Sequence, residues 1–328
     1  MKTIAFFNHK GGVGKTTLVY HLAHMLPRLK YPTLAVDLDP QANLTSAFFD
    51  ENDLEKIWDD KDATILASVD PILEGTVDIR DPATREIADA LWLIPGNLGL
   101  SRFEDKLSAS WPNGFIGDPS ALRTTSAFHR IIRQGAAAVD AEVVLIDVGP
   151  NLGAINRAAL LAADYLVIPL AADLFSLQGL RNLGPVVRKW SEDWEQVKKK
   201  ASVNFDLPAG HMVPAGYVVL QHAVRLDRPV KAFGHWMERI PKAYQESVLG
   251  KKTPQLPTFS GDTLQDEHCL SMVRNFRSLM PMAQDARKPM FDLKSADGAI
   301  GGHAQLVQTC ATDFRNLAEK IMKSCSES

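Results

Sequence analysis

The chain has 328 residues, 45% of them hydrophobic, and a formal net charge of −3. That length buries a substantial core, as one large α/β domain or two small ones, and the reading adopted is a single domain over 1–328. No apolar run reaches the length of a membrane span. Cys269, Cys310 and Cys325 are too few and too scattered for a disulfide framework or a metal cluster, and the charge exerts no global pull on nucleic acid.

In chain order, Met1-Lys2-Thr3 leads straight into the apolar run Ile4-Ala5-Phe6-Phe7 without a signal-like segment. A reducing, cytoplasmic setting is expected. Lys10-Gly11-Gly12-Val13-Gly14-Lys15-Thr16-Thr17 follows, and then the helix-compatible Leu18 to Ala23. Strand, glycine loop and helix in this order make a phosphate-binding loop. Glycines permit the tight, partly left-handed path on which backbone amides converge, and the helix that follows adds its unpaired N-terminal donors. Lys15 stands where a lysine reaches the β- and γ-phosphates, and the Thr16 hydroxyl where it ligates Mg²⁺. His9 occupies the position at which the eight-residue pattern has glycine. It reads either as a satisfied histidine or as a pH-sensitive contact near the phosphates.

Further apolar, β-rich segments at 33–37, 91–94, 143–147, 165–169 and 215–220 alternate with helix-compatible stretches. They predict an α/β fold with a doubly wound, mostly parallel sheet and helices on both faces. Nucleotide sites on such sheets lie at the carboxyl ends of strands. Asp37 and Asp39 follow one strand and Asp147 ends another, so these carboxylates take the chemical reading; for Asp37 a plain turn role is the alternative. Tyr165 and Phe175 are expected in the core. Residues 251–268 read as loop, and Gly298, Gly301 and Gly302 precede a last helix ending near Met322 with a frayed tail from Ser324 to Ser328.

A helix over 229–244 would put Val230, Phe233, Trp236, Met237, Ile240 and Tyr244 on one arc and Lys231, His235, Arg239 and Lys242 on the other. Arg225 and Arg228 lie just before it. This basic face is either solvated or a DNA contact, and Pro241 is positioned to kink or end the helix. Lys198-Lys199-Lys200 read as the end of an exposed helix.

The two lysines flanking the glycines carry a resemblance. Lys10 to Thr17 is similar to the deviant Walker A motif of the ParA/MinD-type ATPases, and Val36-Asp37-Leu38-Asp39-Pro40-Gln41-Ala42-Asn43 looks like the ParA switch segment. The likeness continues through Leu91 to Asn97, Val143 to Asp147, Ala163 to Leu170 and Lys288-Pro289-Met290-Phe291-Asp292. Segments 51–90, 99–125, 191–212 and 245–285 look longer than, or unlike, a minimal member. After Asp147 the chain has Val148-Gly149-Pro150 where the family often has Asp-x-Pro-Pro, which loosens the second switch loop.

The resemblance implies ATP as substrate and Mg²⁺ as cofactor, with Gly11, Gly12, Val13, Gly14, Lys15, Thr16 and Thr17 holding phosphate and Gln221 and Pro289 flanking the base. It implies that Thr16, Asp37 and Asp147 serve the metal, that Asp39 places the attacking water, and that Lys10 reaches the nucleotide of a second subunit. ATP would then drive a homodimer whose slow hydrolysis needs a ParB-like or other stimulating protein. Nonspecific DNA binding would fall to Arg225, Arg228, Lys231, Arg239 and Lys242, giving plasmid or chromosome partitioning, or cargo positioning, by a nucleoid-associated protein. A nucleotide-gated protein adaptor that binds no DNA is the competing reading. A MinD-like membrane-positioning ATPase would want a more apolar basic tail than Lys323 to Ser328, and stable membrane insertion is not expected. An iron–sulfur carrier would want cysteines near the second switch, and none lies between Asp147 and Ser260.

Overall fold

The computed structural model describes residues 1–76, 78–220, 236–252, 259–260, 263–264, 266–276 and 278–327. The fold is α/β, with a mostly parallel sheet of eight strands. In chain order the elements begin with β1 (Lys2–Phe6), α1 (Lys15–Met25), β2 (Thr33–Asp37), α2 (Asn43–Phe48), α3 (Glu51–Asp59), α4 (Ile65–Glu74), β3 (Arg85–Ala88) and β4 (Leu91–Ile94). They continue with α5 (Arg102–Gly114), α6 (Pro119–Thr125), α7 (Ala127–Ala138), β5 (Val143–Asp147), α8 (Ala154–Leu161), β6 (Tyr165–Leu170), α9 (Leu174–Lys200) and β7 (Val213–Leu220). Then come a helical turn Ile240–Ala243, a π-helical turn Tyr244–Val248, the two-residue strands β8 (Phe259–Ser260) and β9 (Thr263–Leu264), β10 (Cys269–Val273), and helices Leu279–Ala286 and Gly302–Glu327.

The chain divides into two compact units: Met1–Phe7, Thr16–Leu166 and Lys189–Val213 form one, and Asn8–Lys15, Val167–Arg188 and Pro214–Ser328 the other. In the first, β1 and β2 flank β5 in parallel, β4 extends the sheet beside β2, and β3 closes the edge antiparallel to β4. Strands β2 and β5 are buried along their whole length. Strands covered on both faces must be apolar nearly throughout, so they showed clearly in the sequence. β3 did not, because its half-exposed Arg85-Glu86-Ile87-Ala88 carries no apolar run.

Three of the long connections, 51–90, 99–125 and 191–212, are built into this unit. Segment 51–90 supplies α3, α4 and β3, and 99–125 supplies α5 and α6. Asp78 pairs with Arg123 at 3.2 Å and Arg130 at 2.7 Å, and both guanidinium groups lie over the Phe205 ring, at 5.4 and 4.9 Å from its centre. Three stretches distant in sequence are thereby fastened together. Helix α9 ends at Lys200 with Lys199 and Lys200 exposed, as expected, but its other face is covered: Trp194 is fully buried, and its indole N–H donates to the Pro208 carbonyl at 2.8 Å.

In the second unit β10 runs parallel to β7. The last helix continues to Glu327 rather than fraying after Met322. Cys310, Phe314, Leu317, Ala318, Ile321 and Cys325 fall on one face at helical spacing and are buried, and Ser324 Oγ donates to the Ala215 carbonyl at 2.6 Å. Of the expected helix 229–244, only 236–244 lies within the described residues. Met237, Ile240 and Tyr244 are buried there, as the apolar arc required, but the helix is interrupted at 238–239. It restarts at Ile240 with Pro241 in the first turn, where a residue lacking an N–H is tolerated.

Candidate active site

The phosphate-binding loop starts from a buried polar anchor. Asn8 donates its side-chain amide to the Pro169 carbonyl at 2.6 Å and accepts the Lys10 backbone N–H at 2.9 Å, fixing the turn that leaves β1. Gly12 and Gly14 take φ of 71° and 85°, the left-handed region that favours glycine. At Gly14 a Cβ would also lie 3.1 Å from the Leu220 side chain, so conformation and space both select glycine. The loop feeds directly into α1, whose first residue, Lys15, has a buried side chain with Nζ 3.4 Å from the Asn8 carbonyl. Val13 is buried beneath the loop, Gly11 and Gly12 are exposed, and Thr16 and Thr17 are half-buried. A loop of open amides running into a helix N-terminus beside a lysine is chemistry for a polyanion.

Lys10 is not extended into solvent. Its ammonium pairs with the Asp173 carboxylate and sits 5.8 Å from the centre of the Phe175 ring. Burial pushes the Asp173 carboxyl upward, but bonds from Lys10 and Ser176 outweigh it and hold the group below its ordinary range. Phe175 is 71% exposed, contrary to its expected place in the core, and Tyr165 is only half-buried. His9 is exposed.

The carboxylates stand at the ends of neighbouring strands. Asp147 is in register with Asp37 on β2 and with Phe6 on β1, so the three strands end level. Asp37 is fully buried: Oδ2 accepts the Thr45 N–H at 2.8 Å and the Thr45 hydroxyl at 2.7 Å, and Oδ1 accepts the Asp39 N–H at 3.2 Å. Burial pushes its carboxyl up to about 6 in spite of these bonds. Thr45 Oγ1 also accepts the Gly96 N–H at 2.7 Å, and a Cβ on Gly96 would come within 2.8 Å of Asp37 Cγ.

Asp39 is nearly buried, with Oδ1 accepting the Gln41 N–H at 3.0 Å in the turn that leads to Ala42 at a φ of 51°. Gly149, in the loop after Asp147, lies over that carboxylate, its Cβ position 3.3 Å from Asp39 Oδ1. Asn156 of α8 knits the loop by donating to the carbonyls of Gly149 at 2.8 Å and Asn151 at 2.6 Å.

Pro289 is buried and precedes the short turn Met290–Asp292. Lys288 beside it pairs with Asp297 at 2.7 Å. Arg239 and Lys242 are exposed, Lys242 lying 3.8 Å from Glu246. Gln221, Arg225, Arg228 and Lys231 lie outside the described residues. Sequence reasoning did not single out Asn8, Thr45, Asp173 or Asn156; an asparagine just after the first strand was the one available cue.

Comparison with known proteins gives a consistent result. A family model described as an AAA domain matches residues 1–200. The sporulation initiation inhibitor protein Soj of Bacillus subtilis is 32% identical over 188 residues, 57% of this chain and 65% of Soj. The virulence plasmid ParA family protein pGP5-D of Chlamydia psittaci is 31% identical over 184 residues, 56% of this chain and 62% of that protein. The chain thus spans less than two thirds of the length of either relative. A Borrelia burgdorferi protein assigned to plasmid partition, solved bound to AMPPNP, shares the fold at a TM-score of 0.62 and 21% identity, covering 98% of each chain.

Proposed function

The chain belongs to the AAA_31 family of ParA/Soj-type ATPases, and on that premise we propose that it is a Mg²⁺-dependent ATP switch acting in partitioning or positioning. The observation that carries the reading is the loop itself: Gly12 and Gly14 are left-handed, and the loop runs into α1 at a buried Lys15. The loop amides and Lys15 take the triphosphate. Thr16, with Asp147 and Asp37, supplies the hard oxygen donors that Mg²⁺ prefers. Bound there, the metal neutralises charge on the phosphates. Asp39 orients the water that attacks the γ-phosphate, and Pro289 and Gln221 flank the base.

Lys10 serves the nucleotide of a second copy, exchanging its Asp173 partner for phosphate when ATP brings two subunits together. Arg239 and Lys242, with Arg225, Arg228 and Lys231, supply nonspecific, salt-sensitive DNA contacts that the dimer doubles. Among the described residues no helix is long and apolar enough to cross a membrane.

Equilibrium binding of a labelled ATP analogue and phosphate release separate these roles. Lys15→Ala should lose ATP binding, whereas Asp39→Ala should keep binding and lose most turnover. Undiminished hydrolysis by Asp39→Ala would remove the assigned water-orienting role. On arbitrary duplex DNA, retention should require ATP and fall with salt; a dimer that binds none at low salt leaves the adaptor reading in its place.

A further inference from the structure

Glu104, on α5, occupies the N-terminus of α8, the helix that follows the second switch loop. Its Oε1 accepts the Ala154 N–H at 2.5 Å and its Oε2 the Ile155 N–H at 2.8 Å, across fifty residues of sequence. These are two of the amides that open the helix, and a carboxylate there also meets the favourable end of the helix dipole. The residue at the capping position, Gly153, offers no side chain of its own.

Gly153 has a φ of −79°, a backbone any residue adopts, so glycine is not required by conformation. It is required by space. A Cβ at this position would lie 2.6 Å from Glu104 Oε1 and 3.1 Å from Glu104 Cδ. The pair is reciprocal: glycine admits the carboxylate, and the carboxylate replaces the cap that glycine cannot supply.

A second contact joins the same two helices. Arg157 of α8 lies over the Trp111 ring of α5, its guanidinium carbon 4.1 Å from the ring centre, and Trp111 stacks in turn on Trp194 at 6.1 Å. From α8 the connection runs inward: Asn156 holds the Gly149 and Asn151 carbonyls, and Gly149 lies over the Asp39 carboxylate. Shifting the first turn of α8 moves the groups that hold Gly149 in place.

We propose that Glu104 is a positioning residue for ATP hydrolysis: by capping α8 it fixes the 148–153 loop and hence the surroundings of Asp39. The proposal rests on the ATPase reading above, and it gives segment 99–125 a role in turnover. Both Glu104 carboxylate oxygens are engaged by the α8 amides, and no part in holding nucleotide or metal is assigned to it. Its loss should therefore act on turnover, not on nucleotide affinity.

The test is a two-residue cycle measured by steady-state phosphate release, analogue binding and thermal unfolding. Glu104→Ala should lower kcat severalfold while KM and analogue affinity stay within about twofold, since the cap holds the loop around Asp39 and not the groups assigned to the phosphates. Glu104→Gln, which keeps one acceptor oxygen and the side-chain volume, should fall between the two. Gly153→Ser in the parent should also lower kcat, because its Cβ displaces Glu104. In the Glu104→Ala background the same serine finds that space vacated, with Asn151 Oδ1 the remaining close atom at 2.9 Å, and its hydroxyl can cap α8 locally. There it should raise kcat. That reversal of sign is the expected result, and a merely structural role would not produce it. Unchanged kcat in Glu104→Ala, or a serine equally harmful in both backgrounds, overturns the proposal while leaving the ATPase reading intact. A parent that binds ATP and hydrolyses none overturns both.

Discussion

Replacing Thr45 by valine should destabilise the protein strongly although it barely changes the side chain's volume. The Thr45 hydroxyl is shared by two buried groups, donating to Asp37 Oδ2 at 2.7 Å and accepting from the Gly96 N–H at 2.7 Å. Valine fills the same space and leaves both without that partner. A buried polar group left unsatisfied costs about 1–3 kcal/mol, so two together cost about 2–6 kcal/mol. Unfolding entropy of about 2.1 cal/mol/K per residue gives about 0.7 kcal/mol/K for a single transition over the whole chain. The melting temperature should then drop by about 3–9 °C. Thr45→Ser, which keeps the hydroxyl and loses one methyl group, should cost only about 1 kcal/mol. Differential scanning calorimetry of the pair isolates the hydroxyl from packing. Equal losses in the two variants, or a valine variant as stable as the parent, would refute the argument that this hydroxyl ties Asp37 to the β4 end.

Three further outcomes follow from other residues. Burial, with Arg133 close by, lowers the His129 imidazole from its ordinary 6.5 to about 4. Below pH 6.5 the unfolded chain takes up a proton that the folded chain refuses, so stability should fall by about 3 kcal/mol between pH 6.5 and 4, and His129→Gln should flatten that acid limb in urea titrations. A variant with the parent's acid limb would exclude His129 as its source. At Gly184 a Cβ would sit 1.8 Å from the Ser247 carbonyl oxygen, main chain that Arg188 also holds, so Gly184→Ala should lower the urea midpoint by the equivalent of at least about 3 kcal/mol; an unchanged midpoint would show that α9 and this turn can separate freely. Lys10→Ala should remain monomeric by light scattering with a non-hydrolysable ATP analogue, and a dimer of parental affinity would exclude the in-trans role of Lys10.

Much of the fold was legible because the central strands are covered on both faces. Runs such as Val143-Val144-Leu145-Ile146 can be little else, and the carboxylates that end β2 and β5 mark where buried strand meets the chemistry. The phosphate loop was legible for a related reason: left-handed turns leave glycines in the sequence, and Gly12 and Gly14 do adopt them. β10 was missed because Cys269-Leu270-Ser271-Met272-Val273 alternates weakly and follows a loop-like tract. The basic helix breaks at 238–239 rather than at Pro241, the residue the sequence marks for a kink, because Pro241 falls in the first turn of the restarted helix, where its missing N–H costs nothing.

What periodicity could not show is which side chains hold the loops still. Asn8 finds its partner 161 residues away, the Thr45 hydroxyl serves Gly96 51 residues on, and Glu104 reaches amides 50 and 51 residues beyond it. None of these pairs lies within the span of a helix or strand repeat, and each polar residue alone is compatible with a solvated surface.

Gly14 and Gly153 bring the same limit to bear on the second switch loop. Both stand just before a helix, and in sequence both read as turn glycines. Gly14 has a φ of 85° and is a turn glycine in fact, whereas Gly153, at −79°, is constrained by the Glu104 and Asn151 side chains that crowd its Cβ position. The departure at Gly149, which relaxes the chain relative to a proline, therefore does not leave the loop slack. Asn156 holds its carbonyl from one side, and α8, which carries Asn156, is held in turn by α5. Order that the family pattern places in a proline ring is supplied in this chain by a carboxylate four elements earlier, on α5.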